Sequence, residues 1–212
     1  MAGSRPFTLL LLLLHTALTT AYTRLSDPSL RAVPSPGHLF DIDPHNPSSL
    51  LSPILIPRVP GTPGHAAVQE HFVSFFRSQL PLWQLEWHNS TSTTPATGST
   101  LVPFSNLILR RDPPGVKEGD ISRLTLVAHY DSLYRPEGFV GAIDSAAPCA
   151  VLLFVARAVD AALTRKWEAG GRTEGDGLED EENRGVQILL LDGEEAWVSW
   201  TETDSIYGAR YV

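Results

Sequence analysis

The 212-residue sequence has a single cysteine, Cys149. An internal disulfide is therefore excluded, and the core must hold without one. Cys149 lies in an apolar stretch with no basic neighbour in sequence. It reads as a small buried hydrophobe and not as a nucleophile. Positive charge is also scarce. The 16 Lys and Arg against 24 Asp and Glu leave a formal net charge of -8, which argues against a general nucleic-acid partner. The N-terminal apolar run at 7–14 is too short to span a bilayer comfortably. What the chain does have is 42% hydrophobic residues, enough for one core of ordinary size.

The N-terminus carries an address. Arg5 supplies a positive start, the run at 7–14 an apolar centre, and Thr19, Thr20 and Ala21 a small-residue cleavage site. Residues 1–21 are expected to be a secretory signal peptide, placing the chain in the secretory pathway or outside the cell. A membrane enters only if this segment stays on as an uncleaved anchor. Asn89-Ser90-Thr91 is a glycosylation sequon, consistent with that route. Residues 22–53 form a proline-rich leader, and the whole proline- and serine-rich stretch 22–60 is expected to wrap the surface of the domain and not to form a core. The stretch 168–185 reads as a solvated acidic loop. Between Glu168 and Arg184 it holds 7 acidic and 2 basic residues, with glycines at 170, 171, 175 and 177.

From 54 onward a folded domain is expected. Pro63 suits a first helical turn, and Val68, Phe72, Phe75 and Phe76 recur at helical spacing behind it. Residues 82–91 alternate Trp83, Leu85 and Trp87 with polar positions, a half-exposed strand. Residues 104–109 read as a second strand. The run 124–129 is almost wholly apolar, the pattern of a central strand covered on both faces. Residues 146–163 predict a buried helix with Pro148 in its first turn, and 186–191 another buried strand. Ser205 is placed to cap a helix starting at Ile206. Strand, long helix and strand make a βαβ unit, so both strands end on one edge of the sheet, where α/β folds bind ligands.

Acidic residues converge on that edge. His129, Tyr130 and Asp131 close one strand, Asp144 precedes the helix, and Glu194 and Glu195 follow the other strand. Carboxylates this close repel one another, and a divalent cation removes the conflict. Oxygen ligands with an imidazole in a secreted protein suit zinc. Paired glutamates then have reason to differ: one binds metal, and its neighbour stays free to carry protons. Gly-Glu-Glu alone, or His-x-Asp alone, is more often a solvated strand end. Their order at successive strand ends is what favours the metal.

The stretches "AHYDS", "FVGAIDSAAPCAVLLFVARAVD", "LLLDGEEAWVSW" and "TDSIYGARYV" resemble glutaminyl-peptide cyclotransferases, within the broad superfamily of the zinc aminopeptidases of peptidase family M28. The likeness runs from about Ile54 to the end. It implies an α/β fold, a three-layer sandwich with a mixed, mostly parallel central sheet. It also implies cyclisation of N-terminal glutamine of peptides or proteins to pyroglutamate, with ammonia released. By position, the resemblance makes Asp144 and Glu195 zinc ligands, Glu194 the general acid/base and Trp200 a wall of the substrate pocket. His129 and Asp131 support the site from behind in a one-zinc cyclase. In a two-metal aminopeptidase, the alternative reading, His129 would hold the second ion. Trp197 reads as a core aromatic and Ser145 as a helix-start residue.

The likeness also has a gap. The family's third zinc ligand is a histidine far downstream, and no histidine follows His129 here. The chain is therefore expected to be an N-terminal portion of a longer enzyme, or else a short, non-catalytic homologue. Part of the sheet should then be left unpaired, with apolar faces exposed. Some family members pair a cysteine at the position of Ala128 with the one at Cys149. Here that bridge cannot form.

Overall fold

Thr62 begins the first long helix, as Pro63 predicts. In the computed structural model α1 spans Pro63–Gln79, with the Thr62 hydroxyl accepting from the His65 amide. Its buried stripe is Val68, Phe72, Phe75 and Phe76, the i, i+4, i+7, i+8 pattern of a helix with one face in a core. Each of these side chains stabilises the fold by roughly 1.5–3 kcal/mol through burial. The structure describes residues 26–28, 41–117, 119–170 and 184–212. The expected signal peptide, most of the leader up to residue 40, and 171–183 of the acidic stretch lie outside them. The chain divides into two compact units, 1–37 and 38–212; every element below belongs to the second.

Four strands follow: β1 (Gln84–Ser92), β2 (Val102–Arg111), β3 (Ser122–His129) and β4 (Arg184–Leu191), in the order β1-β2-β4-β3. β1 and β2 form an antiparallel hairpin, and β2 pairs antiparallel with β4. β3 and β4 are parallel, with His129 opposite Leu191. The sheet is mixed, and the two parallel strands finish at the same edge. Between them runs α2 (Ala147–Gly170), seven residues longer at its C-terminal end than the sequence predicts. It takes in the first residues of the acidic stretch.

One core unites both helices with one face of the sheet. Phe72 and Phe76 from α1, Cys149, Leu153 and Ala156 from α2, and Leu107, Leu109, Ile188 and Leu190 from the strands belong to it. Cys149 is buried and free, as its apolar setting implies. Asp160 of α2 ties the layers together, accepting from the Trp83 indole at 3.0 Å and from Arg111 Nε at 2.9 Å. A smaller cluster of Val102, Phe104, Trp197 and Tyr207 covers the opposite face of β2.

Three expectations are corrected. β3 is not central among the described residues: it pairs only with β4, and Leu124 and Val127 are 65% and 53% exposed. Its apolar run marks a strand built to be covered on both faces, and here Val127 on one face and Leu124 on the other stay in water, beside an edge that pairs with no described strand. The proline-rich stretch 22–60 does not merely wrap the surface, because Leu50, Ile54 and Arg58 are buried. No α-helix starts at Ile206. The chain turns instead, and a short 3₁₀ turn covers Ala209–Tyr211. Ser205 spends its hydroxyl on the Thr201 carbonyl and caps nothing.

Candidate active site

The parallel pairing places the ends of β3 and β4 side by side. The Tyr130 amide extends the ladder by donating to the Leu191 carbonyl at 2.8 Å. Beyond that bond both chains leave the sheet, and their polar residues meet. Asp131 is fully buried and accepts from the Glu194 amide at 3.1 Å and the Glu195 amide at 3.0 Å. One carboxylate thus holds the backbone of both glutamates. It also lies 3.2 Å from His129 Nδ1, which fixes the imidazole with Nε2 facing outward.

Asp144 arrives from the other side, in the irregular turn Ala142–Ala146 that leads into α2. The Asp144–Ser145 peptide bond is cis. Its Oδ1 sits 2.7 Å from His129 Nε2, and its side chain is 80% exposed. Ser145 and Cys149 both donate to the His129 carbonyl, so the start of α2 is pinned to the end of β3. His129, Asp144 and Glu195 each offer a ligand atom, all within 4.8 Å of one another. Glu194 stands beside this group, with Oε2 3.8 Å from His129 Nε2.

The electrostatics follow from crowding acids at a partly buried edge. Burial raises the Glu195 carboxyl, and the Asp131 charge adds to that, bringing it up to about 7. Glu194 is raised by the same burial, against the pull of His129. Burial disfavours the His129 cation, but Asp131 and then Asp144 outweigh it and lift the imidazole to about 9.

The aromatic residues separate. Trp197 is buried and stacks on Tyr134 at 4.9 Å between ring centres. Trp200 is 58% exposed on the loop beyond it. That loop is closed by Asp204, which accepts from the amides of Trp197, Val198 and Ser199 at 2.8–2.9 Å and from the Tyr207 hydroxyl at 2.6 Å.

Three supporting residues escaped the reading of the sequence. Arg58 is fully buried and donates to the carbonyls of Tyr130 (2.6 Å), Gly141 (3.1 Å) and Val140. It clamps the loop that carries Asp131 to the turn that carries Asp144. The only signal was a cation set among prolines and aliphatics in "PILIPRVPG". Asp192 is buried against His65 Nε2 at 2.8 Å and the Ser105 amide at 2.7 Å, and it sets the exit of β4. Gly193 has φ +65°, and a β-carbon there would lie 2.3 Å from the Phe104 ring. Only glycine makes that turn into the paired glutamates.

Comparison with known proteins gives the chain relatives. A model of peptidase family M28 matches residues 107–212. A glutaminyl-peptide cyclotransferase-like protein of Mus musculus is 36% identical over 193 residues, 89% of this chain and 44% of its own length. A glutaminyl-peptide cyclotransferase of Gloydius blomhoffii is 36% identical over 165 residues, 76% of this chain and 41% of its own length. The crystal structure of Macrostomum lignano glutaminyl cyclase matches with a TM-score of 0.59 at 35% identity, covering 76% of this chain and 41% of that one. The chain therefore spans less than half the length of these relatives. The family model covers half of the chain, from β2 through both acidic strand ends, and the fold of a solved relative matches 76% of the chain. On that ground the chain belongs to peptidase family M28.

Proposed function

We propose that this chain carries the metal-binding and proton-transfer part of a secreted glutaminyl-peptide cyclotransferase acting on peptides or proteins with N-terminal glutamine. The observation that supports it most is the meeting of His129, Asp144 and Glu195 within 4.8 Å, with Glu194 alongside. One nitrogen and two carboxylate oxygens are a donor set zinc accepts, with ligands at about 2.0–2.2 Å. Asp144 and Glu195 would hold the ion, and His129 Nε2 is the nitrogen within reach among the described residues. When bound, zinc acts as a Lewis acid that polarises the side-chain carbonyl of the substrate glutamine.

The chain's own groups do the rest. The substrate's α-amine attacks its own γ-carbonyl carbon, forming the ring C–N bond, and the bond to the side-chain nitrogen breaks. Glu194 takes the proton from the amine and passes it to the departing nitrogen, which leaves as ammonia. Burial raises this carboxyl above its ordinary range, which favours both taking and returning the proton. The Asp131 bond to the Glu194 amide keeps this carboxyl close to the metal group. Closing a five-membered ring within one residue makes positioning a large part of the rate gain. Trp200, exposed on its loop, would lie along the substrate backbone and help exclude water.

A second reading, a zinc aminopeptidase, is favoured by the contact of His129 Nε2 with Asp144, which would let two ions bind. The purified chain incubated with Gln-initiated peptides and with aminoacyl amides separates the readings. Ammonia release with an intact peptide bond supports cyclisation, and free amino acid supports the peptidase. Neither product, together with no retained zinc, supports a non-catalytic homologue.

A further inference from the structure

Away from the acidic edge, a groove of about 400 Å³ lies between α1 and the first hairpin. Its floor is the outer strand β1, which pairs only with β2 among the described residues. Trp87 and Asn89 both line the groove. They sit two positions apart on one face of the strand, about 6.5–7 Å along it. Opposite them, α1 contributes Gln69, Glu70 and Arg77. Trp87 is 37% exposed, unusual for an indole with a packed core nearby.

The lining defines a ligand class. A half-exposed indole offers a flat apolar face, as the ring carbons of a pyranose require. Gln69, Glu70 and Arg77 bring donors and acceptors of both charges, which fits a neutral polyol better than an ion or an apolar group. Asn89 is exposed and begins the sequon Asn89-Ser90-Thr91. We infer that Asn89 is N-glycosylated and that the first N-acetylglucosamine of its glycan seats in this groove against Trp87. Bond formation joins the Asn89 amide nitrogen to the anomeric carbon of a lipid-diphosphate oligosaccharide, with the lipid diphosphate leaving. The seated sugar covers the open side of β1 and lies against α1, so it guards a sheet edge as well as filling a groove. The inference rests on the secretory route of the proposed function but not on its chemistry.

The test expresses the full chain in cultured animal cells with a mannosidase inhibitor. One form keeps residues 1–21, and a second replaces them with a leader known to enter the secretory pathway. The expected product carries one N-glycan, absent from Asn89→Gln and from Thr91→Ala. If the exchanged-leader form enters the pathway and Asn89 stays unmodified, the proposal fails. If only the native-leader form is unmodified, the secretory reading fails and the site stands. The seat has its own readout. Trimming to a single N-acetylglucosamine should leave the melting temperature unchanged. Removing that last sugar should lower it by about 2–4 °C, the shift of roughly one lost contact in a chain of this size. Asn89→Asp controls for the charge left by enzymatic removal. In Trp87→Ala the last sugar should make no difference. An equal shift with and without the Trp87 ring would overturn the seat.

Discussion

At the scale of single residues, the proposed site would give neighbouring carboxylates different work. Glu195 comes together with His129 and Asp144 while Glu194 stands beside them, although the two glutamates are adjacent in sequence. Glu194→Gln should lower cyclisation by about 10²–10⁴-fold while zinc content, measured by atomic emission, stays the same. A matching loss of zinc would mean that Glu194 is a ligand. Arg58 poses a different problem. Its guanidinium is spent on backbone carbonyls from three segments. Arg58→Met fills the volume but strands those carbonyls. We expect a loss of about 3 kcal/mol in urea unfolding, since each stranded group costs about 1–3 kcal/mol. Glu194, Glu195 and Asp144 were legible in the sequence because acids at strand ends need an explanation. Arg58 was not, because nothing local to it names carbonyls that lie 72–83 residues away.

At the scale of elements, the loop beyond β4 presents Trp200, and Asp204 holds that loop. Burial opposes the Asp204 charge, but the amides of Ser199, Trp197 and Val198 and the Tyr207 hydroxyl win and lower its pKa. The folded value lies below the unfolded one, so the stabilisation is fully present above the unfolded pKa of about 3.9. It is lost as pH falls through the folded value. Asp204→Asn should therefore cost about 1–3 kcal/mol at neutral pH. The gap to the parent chain, followed by unfolding at successive pH values, should close in acid. A gap that widens in acid would contradict this assignment. Helix α1 was legible in the sequence because Pro63 and the aromatic stripe behind it agree with one another. The turn after Ser205 was not. A capping residue was present, but Tyr207 and Gly208 are drawn onto Phe104 and Asn106, and tertiary packing overrides the local signal.

At the scale of the whole molecule, the sheet has a good edge and a bare one. β1 offers polar residues and the sequon at Asn89, whereas β3 leaves Leu124 and Val127 in water. Such an edge invites pairing with another chain. Leu124→Lys with Val127→Lys should lower self-association, read by light scattering, with little effect on melting temperature; unchanged association would place the contact elsewhere. The sequence alone determined that the chain is an α/β domain with a βαβ unit, that its acids gather at one sheet edge, and which family it resembles. Periodicity and charge order are written locally, and they survive any packing. Only the tertiary structure decided that β4 lies inside and β3 outside, that the proline-rich stretch sends Arg58 into the core, and that Asp131 holds both glutamates by their amides. Each of those depends on which distant segments meet, and strand order is chosen by the burial of the whole sheet and not by any one strand.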